Sequence, residues 1–269
     1  MVKYRKALIS IFLVVVLSSL TAIGYHYYSA EERYGSGHGY KVTGLIIPLY
    51  SDPNGSWIDI LQIHRQFPDV PMIVIINPDN GPGQNFSHDY FNWTQALMNA
   101  GIRVIGYVYT EYGSRSAGVI ESQTIDYLNW YHVNGLFLDE VSEYSNYSSY
   151  YEDLTDICRS LGAEYIVGNP GTSAPLNITQ YFNLTVLYEN PGIPPLENLS
   201  LIVNGTPRSH SSIICYDVEA VNESVLNTIL NYFSYVYFTN RGLPNPYASL
   251  PEYLYQEMSL VSSLHPANE

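Results

Sequence analysis

Beyond residue 41 two kinds of apolar patterning alternate along the chain. Short runs of Val, Ile, Leu and Tyr stop abruptly at Pro, Asn, Gly, Thr or acidic clusters. They span Gly44 to Tyr50, Met72 to Asn77, Arg103 to Thr110, Gly135 to Glu140, Glu164 to Asn169, Thr185 to Glu189, Ser212 to Asp217 and Tyr235 to Asn240. Runs this short, bounded by turn residues, predict strands. Between them, longer stretches carry apolar residues at helical spacing: Ser56 to Phe67, His88 to Ala100, Ala117 to Tyr131, Tyr147 to Leu161, Val221 to Phe233 and Leu250 to Leu264. The segments before the sixth and seventh strands are shorter and less regular. Eight strand and helix units in about 230 residues predict an α/β protein, a single-domain (β/α)8 TIM barrel over residues 42–269. A doubly wound open sheet is the alternative, but neither GxGxxG nor GxxxxGK[ST] follows the first strand.

The first residues break this rhythm. Lys3, Arg5 and Lys6 precede an uncharged apolar run from Ala7 to about Ile23, so residues 1–24 read as a signal peptide or membrane anchor. Cleavage at a small-residue site such as Tyr28-Ser29-Ala30, pilin-type processing near Lys6-Ala7-Leu8, and retention are all open. Residues 25–41, centred on GSGHG, read as a tether. In either case the positive flank stays inside and the remainder is expected at the cell surface or outside the cell.

Asn-X-Ser/Thr sequons point to the same address. They occur at Asn54, Asn85, Asn92, Asn146, Asn177, Asn183, Asn198, Asn204 and Asn222. Roughly three would arise by chance in a chain of this composition, so a glycoprotein is expected. None falls at the centre of a predicted strand. The net charge is -14; without Lys3, Arg5 and Lys6, 8 basic face 25 acidic residues and the exported part is near -17. Such a surface repels nucleic acid and attracts cations. Cys158 and Cys215 are too few for a disulfide scaffold and are expected as buried thiols.

The chemistry follows from where the acids fall. In a (β/α)8 barrel the loops after the strands form the active face. Asp139 and Glu140 end strand four in GLFLDE, Glu189 ends strand six in VLYEN, and Asp217 ends strand seven in ICYDVE. Paired carboxylates over a cleft can cleave a glycosidic bond, one as proton donor and one as nucleophile or base. Backbones of strands four and six lie about 10 Å apart at ordinary strand spacing, and long side chains can close to the roughly 5 Å of a retaining pair. The competing reading of Asp139-Glu140 is a helix N-cap with an acidic first turn. The histidines form no HExxH or i, i+4 pair, so no metal or other cofactor is expected. No GxSxG is present, and Asn77-Pro78-Asp79-Asn80-Gly81-Pro82-Gly83 lacks the Lys of a phosphate cradle and reads as a rigid turn shaping the cleft. Several of the 27 tyrosines stand at strand ends, where a phenol can offer a sugar an apolar plane and a polar tip.

IIPLY (46–50), VIINPDNGPG (74–83), GYVYTEYGSR (106–115), WYHVNGLFLDE (130–140), VGNPGT (167–172), LYEN (187–190) and LPNPYASLPEY (243–253) run across nearly all of the chain after the tether. In this order they resemble the spherulation-specific, spherulin-four-like proteins, glycoside hydrolases related to endo-α-1,4-polygalactosaminidases. The resemblance implies a (β/α)8 barrel cleaving an α-1,4-linked polysaccharide that contains galactosamine or N-acetylgalactosamine. Asp139 then looks like the nucleophile, Glu189 like the general acid/base and Glu140 like a supporting acid. Tyr50, Asn77, Tyr107 and Asn169 would line the sugar subsites, with Asp217 a further candidate. Cys215 departs from the pattern, which has a histidine in the seventh-strand motif. A noncatalytic, surface-anchored barrel that binds polysaccharide or builds the cell envelope is the second reading, since fold does not fix function. The expected partner is a polysaccharide, with a cationic amino-sugar polymer suiting the acidic surface, and the membrane if the N-terminal segment is kept.

Overall fold

The computed structural model describes residues 42–264. The signal or anchor segment and the tether lie outside these residues. Among the described residues, eight parallel strands close into a barrel in the order of the sequence: β1 (Gly44–Leu49), β2 (Met72–Ile76), β3 (Arg103–Tyr109), β4 (Gly135–Asp139), β5 (Tyr165–Gly168), β6 (Leu184–Pro191), β7 (Ser211–Tyr216) and β8 (Tyr235–Phe238). Closure is made by β1 on β8, with Gly44 opposite Tyr235. The strands are apolar almost without alternation because both faces are covered, one by the barrel interior and the other by helices. β1, β2 and β8 are buried at every position.

The helices are α1 (Gly55–Gln66), α2 (His88–Asn99), α3 (Ala117–Tyr131), α4 (Ser148–Leu161), α5 (Leu176–Thr179), α6 (Leu199–Val203), α7 (Glu223–Ile229) and α8 (Leu254–Leu264). α1 shows how they form. Asn54 caps it by accepting from the Ser56 N–H at 2.8 Å, and Trp57, Ile60 and His64 make its buried stripe. The two predicted C-terminal helices are shorter than expected for local reasons. α7 starts behind its cap Asn222, and i to i+3 bonds from Asn231 and Tyr232 tighten its end into a turn toward β8. α8 starts only after the turn in which the Leu254 N–H bonds the Pro251 carbonyl.

Close approach decides the start of β4. A Cβ at Gly135 would run into the Tyr165 carbonyl, so only glycine lets β4 lie against β5 there. Just before it, Asn134 stitches β3 to β4, accepting from the Val104 N–H at 2.9 Å and donating its own N–H to the Val104 carbonyl at 2.8 Å. Asn183 does similar work before β6, its side chain accepting from the Ile166 N–H at 2.8 Å. Cys158 and Cys215 are free, buried thiols. Of the nine sequon asparagines seven are exposed, while Asn177 and Asn183 are partly buried.

Candidate active site

The C-terminal strand ends surround a cleft of about 580 Å³ lined by Tyr50, Asn77, Tyr107, Asp139, Asn169 and Glu189, together with Asp79, Asn80, Tyr216 and the 243–247 loop. Each strand contributes by its last residues. β4 ends in Asp139, and α4 begins only at Ser148, so the carboxylate is not that helix's cap. Asn169 follows β5, held by its N–H on the Leu138 carbonyl at 2.8 Å and by its carbonyl accepting from the Val141 N–H at 2.9 Å.

Glu189 reaches the cleft through a bulge. Val186 pairs with Ser212 but Glu189 pairs with Ile214, so β6 spends three residues where β7 spends two. Strict alternation would set 186 and 189 on opposite faces of the sheet. The extra residue resets the phase and lets both follow the face shared by 212 and 214.

Asn169 joins the acids. Its Nδ2 donates to Asp139 Oδ1 at 2.7 Å and to Glu189 Oε2 at 2.5 Å. Its Oδ1 accepts from the Gly171 N–H at 2.9 Å, which fixes the amide so that the NH2 faces the carboxylates. Two oxygens on one nitrogen at those distances stand no more than about 5 Å apart, so the two carboxyl groups face each other across the amide. Tyr247 donates to the other Glu189 oxygen at 2.5 Å, and Tyr107 hydrogen-bonds Asp139. Tyr50 sets its ring edge-on to both Tyr107 and Tyr247, with centroids 5.5 Å apart in each case.

This environment separates the two acids. Burial, then the Asp139 charge, pushes Glu189 up to about 7 against the pull of Tyr247 and Asn169. Burial also raises Asp139, but Tyr107, the Glu140 N–H and Asn169 all favour its ionised form. Burial and the neighbouring carboxylates hold the phenols of Tyr50, Tyr107 and Tyr247 far above their ordinary range, so they remain donors. The same surroundings thus push the Glu189 carboxyl toward its protonated form while three hydrogen bonds pull Asp139 toward the carboxylate.

Two sequence candidates stand elsewhere. Glu140 adopts a left-handed backbone, φ 52°, and its side chain turns from the cleft toward Glu111, whose N–H it accepts. Its carboxyl is raised by burial and by Asp139 and Glu111. Asp217, also left-handed at φ 53°, lies on Gly242, where a Cβ would strike its carboxylate. Its N–H bonds the Arg241 carbonyl at 2.9 Å, so it props the loop carrying Tyr247, and Tyr216 lines the cleft beside it. Asn77 does enter the cleft and orders the turn behind it, accepting from the Gly81 N–H at 3.1 Å. Tyr247 was present in LPNPYASLPEY without an assigned role; a Pro-punctuated run after the last strand is the signal that a structured loop returns to the active face. Among the described residues no cluster of His, Cys, Asp and Glu could hold a metal ion.

Fold and site together define a (β/α)8 barrel with a carboxylate pair bridged by an amide at its C-terminal face. Residues 44–261 match the model of spherulation-specific family 4, and the chain belongs to that family. Spherulin-4 of Physarum polycephalum is 28% identical over 236 residues, covering 82% of this chain and 70% of the relative. Among solved structures, Sph3 of Aspergillus clavatus in complex with GalNAc superposes with a TM-score of 0.76 at 22% identity, covering 83% of this chain and 98% of that one. That likeness shows the barrel fold.

Proposed function

We propose that the protein is an endo-acting glycoside hydrolase that cleaves α-1,4-linked polysaccharide containing galactosamine or N-acetylgalactosamine. The observation that carries this reading is the Asn169 amide bridging Asp139 and Glu189. Glu189 in its protonated form gives its proton to the glycosidic oxygen as that bond breaks, while Asp139 attacks the anomeric carbon and forms a glycosyl ester. The Glu189 carboxylate then takes a proton from water, whose oxygen displaces Asp139, with net retention. Tyr247 and Tyr107 orient the two acids. The GalNAc bound by the Aspergillus relative favours an amino-sugar substrate.

The setting we infer is extracellular or cell-surface. The basic, then apolar N-terminus and the mostly exposed sequons support it. An endoglycosidase-induced mass shift of the protein from its native source is the expected sign of occupied sequons; an unchanged mass there removes that support.

The direct test is a reducing-end assay of the full-length protein on partly deacetylated α-1,4-galactosaminogalactan, beside Asp139→Asn and Glu189→Gln. New ends are expected from the wild type, with kcat/KM reduced at least about a thousandfold in each variant. Activity retained in both variants would overturn the assignment. Polymer binding without any cleavage by the wild type would favour the noncatalytic barrel instead.

A further inference from the structure

A second depression of about 320 Å³ opens beside the cleft, walled by Tyr112, Val141, Glu143, Tyr144, Pro170 and Thr172. Consecutive residues divide between the two cavities: Asn169 lines the cleft and Pro170 the depression, and two residues past Asp139 the chain reaches Val141. A polymer leaving the catalytic pair across the ends of β4 and β5 therefore passes over this second cavity.

Its walls are built for a ring with apolar faces and polar edges. Tyr112 and Tyr144 are 60% and 62% exposed, in a chain whose other cleft-side tyrosines are largely covered. Exposed aromatic planes leave apolar area to be covered by a ligand. Tyr112 is held there at a conformational cost, since Glu111 and Tyr112 are both left-handed, φ 49° and 55°. For residues other than glycine each such position is sterically unfavourable. The Tyr112 N–H on the Glu140 carbonyl at 2.7 Å, and the Thr110 N–H on the Asp139 carbonyl at 2.9 Å, keep the loop in place. Glu143 is exposed, and no Lys or Arg lines either cavity. The site thus favours a cationic ring.

We propose that this depression is a second sugar subsite, which takes a free-amine hexosamine of the same chain that occupies the cleft. It rests on the polysaccharide reading and adds where the chain runs and which unit is selected. Tyr112 and Tyr144 cover the faces of the pyranose, and Glu143 accepts from its ammonium group.

Calorimetric titration with α-1,4-linked galactosamine oligomers, dimer to octamer, in a full-length Glu189→Gln background tests this. Affinity is expected to rise with length. In Tyr112→Ala/Tyr144→Ala the long oligomers should lose at least about tenfold, with dimers unchanged and Tyr112→Phe/Tyr144→Phe restoring the parental values. Glu143→Gln should weaken long galactosamine oligomers while leaving their fully N-acetylated counterparts unaffected. Length-dependent binding that none of these variants alters overturns the subsite and leaves the hydrolase reading standing. No binding of any oligomer by the parent overturns both.

Discussion

Asn169 sets the chemistry of the cleft because its single NH2 group is shared by two carboxylates that would otherwise repel. With Glu189 pushed up to about 7, kcat/KM is expected to fall as pH rises through about 7, and to fall again in acid as Asp139 takes a proton. Tyr247 pulls the Glu189 value down by bonding its ionised form. Tyr247→Phe should therefore move the alkaline limb to higher pH, which a pH–rate profile reads directly; an unmoved limb would separate Tyr247 from the acid. A stability consequence follows. A carboxyl whose folded pKa exceeds the unfolded value contributes stability that is present below about 4.5 and lost as pH rises through about 7. Glu189→Gln has no such proton to lose, so it should unfold later than the wild type at pH 8, by at most about 3 kcal/mol, with little difference at pH 4. Urea melts at the two pH values check it.

At the scale of elements, the strand ends that make the cleft were visible in the sequence because a buried parallel strand is an uninterrupted apolar run whose end is marked by the first polar residue. GLFLDE and VLYEN announced Asp139 and Glu189 in this way. The side-chain directions beyond those ends were not visible. Glu140 and Asp217 have left-handed backbones and neither lines the cleft, and outside glycine residue type signals such a backbone only weakly, with Asp and Asn enriched there. The bulge in β6 was equally hidden, since a one-residue register shift is a relation to β7 and not a property of β6 alone. α7 and the start of α8 fall a few residues inside their periodic apolar stretches because turns, not periodicity, terminate them. The loop after β3 carries a testable version of this coupling. Buried Thr110 donates its hydroxyl to the Glu140 carbonyl at 2.7 Å and lies 3.2 Å from the Tyr151 hydroxyl. Thr110→Val keeps the shape, leaves the Glu140 carbonyl with the Tyr112 N–H alone and takes Thr110 Oγ1 from the buried Tyr151 hydroxyl, at about 1–3 kcal/mol. A loss of kcat without a matching rise in KM would show that this bond holds the β4 end in its working conformation.

Across the molecule, acidity and burial act in the same direction. The chain carries a net charge of -14, and the ion pair between Arg241 and Glu252 is long, 3.7 Å, with Glu252 80% exposed, so it contributes little. The carboxyls that burial perturbs are shifted upward: Asp139, Glu140, Glu189 and Glu257. Glu257 is the extreme case. It is buried on α8 with one oxygen accepting from the Phe238 N–H at 3.1 Å and the other without a partner among the described residues. Burial pushes its carboxyl well above the usual carboxylate range, and ionising it would strand a charge against β8. Each raised group binds its proton more tightly in the folded state than in the unfolded chain, so each contributes stability at low pH that is lost as pH climbs through its folded value. Self-repulsion of the acidic surface grows over the same interval. The protein is therefore expected to be more stable near pH 5 than near pH 8, the reverse of a fold held by salt-bridged carboxylates, with each 1 kcal/mol worth about 2–4 °C in Tm. Added salt should recover the part of the loss at pH 8 that comes from surface repulsion, because exposed charges are screened within about 10 Å at 0.1 M. It should leave the part owed to the buried Glu189 carboxyl, which Glu189→Gln removes instead. Thermal melts over this grid of pH, salt and variant separate the two contributions. A Tm that rises from pH 5 to pH 8 would show that depressed, paired carboxylates dominate and would overturn the account.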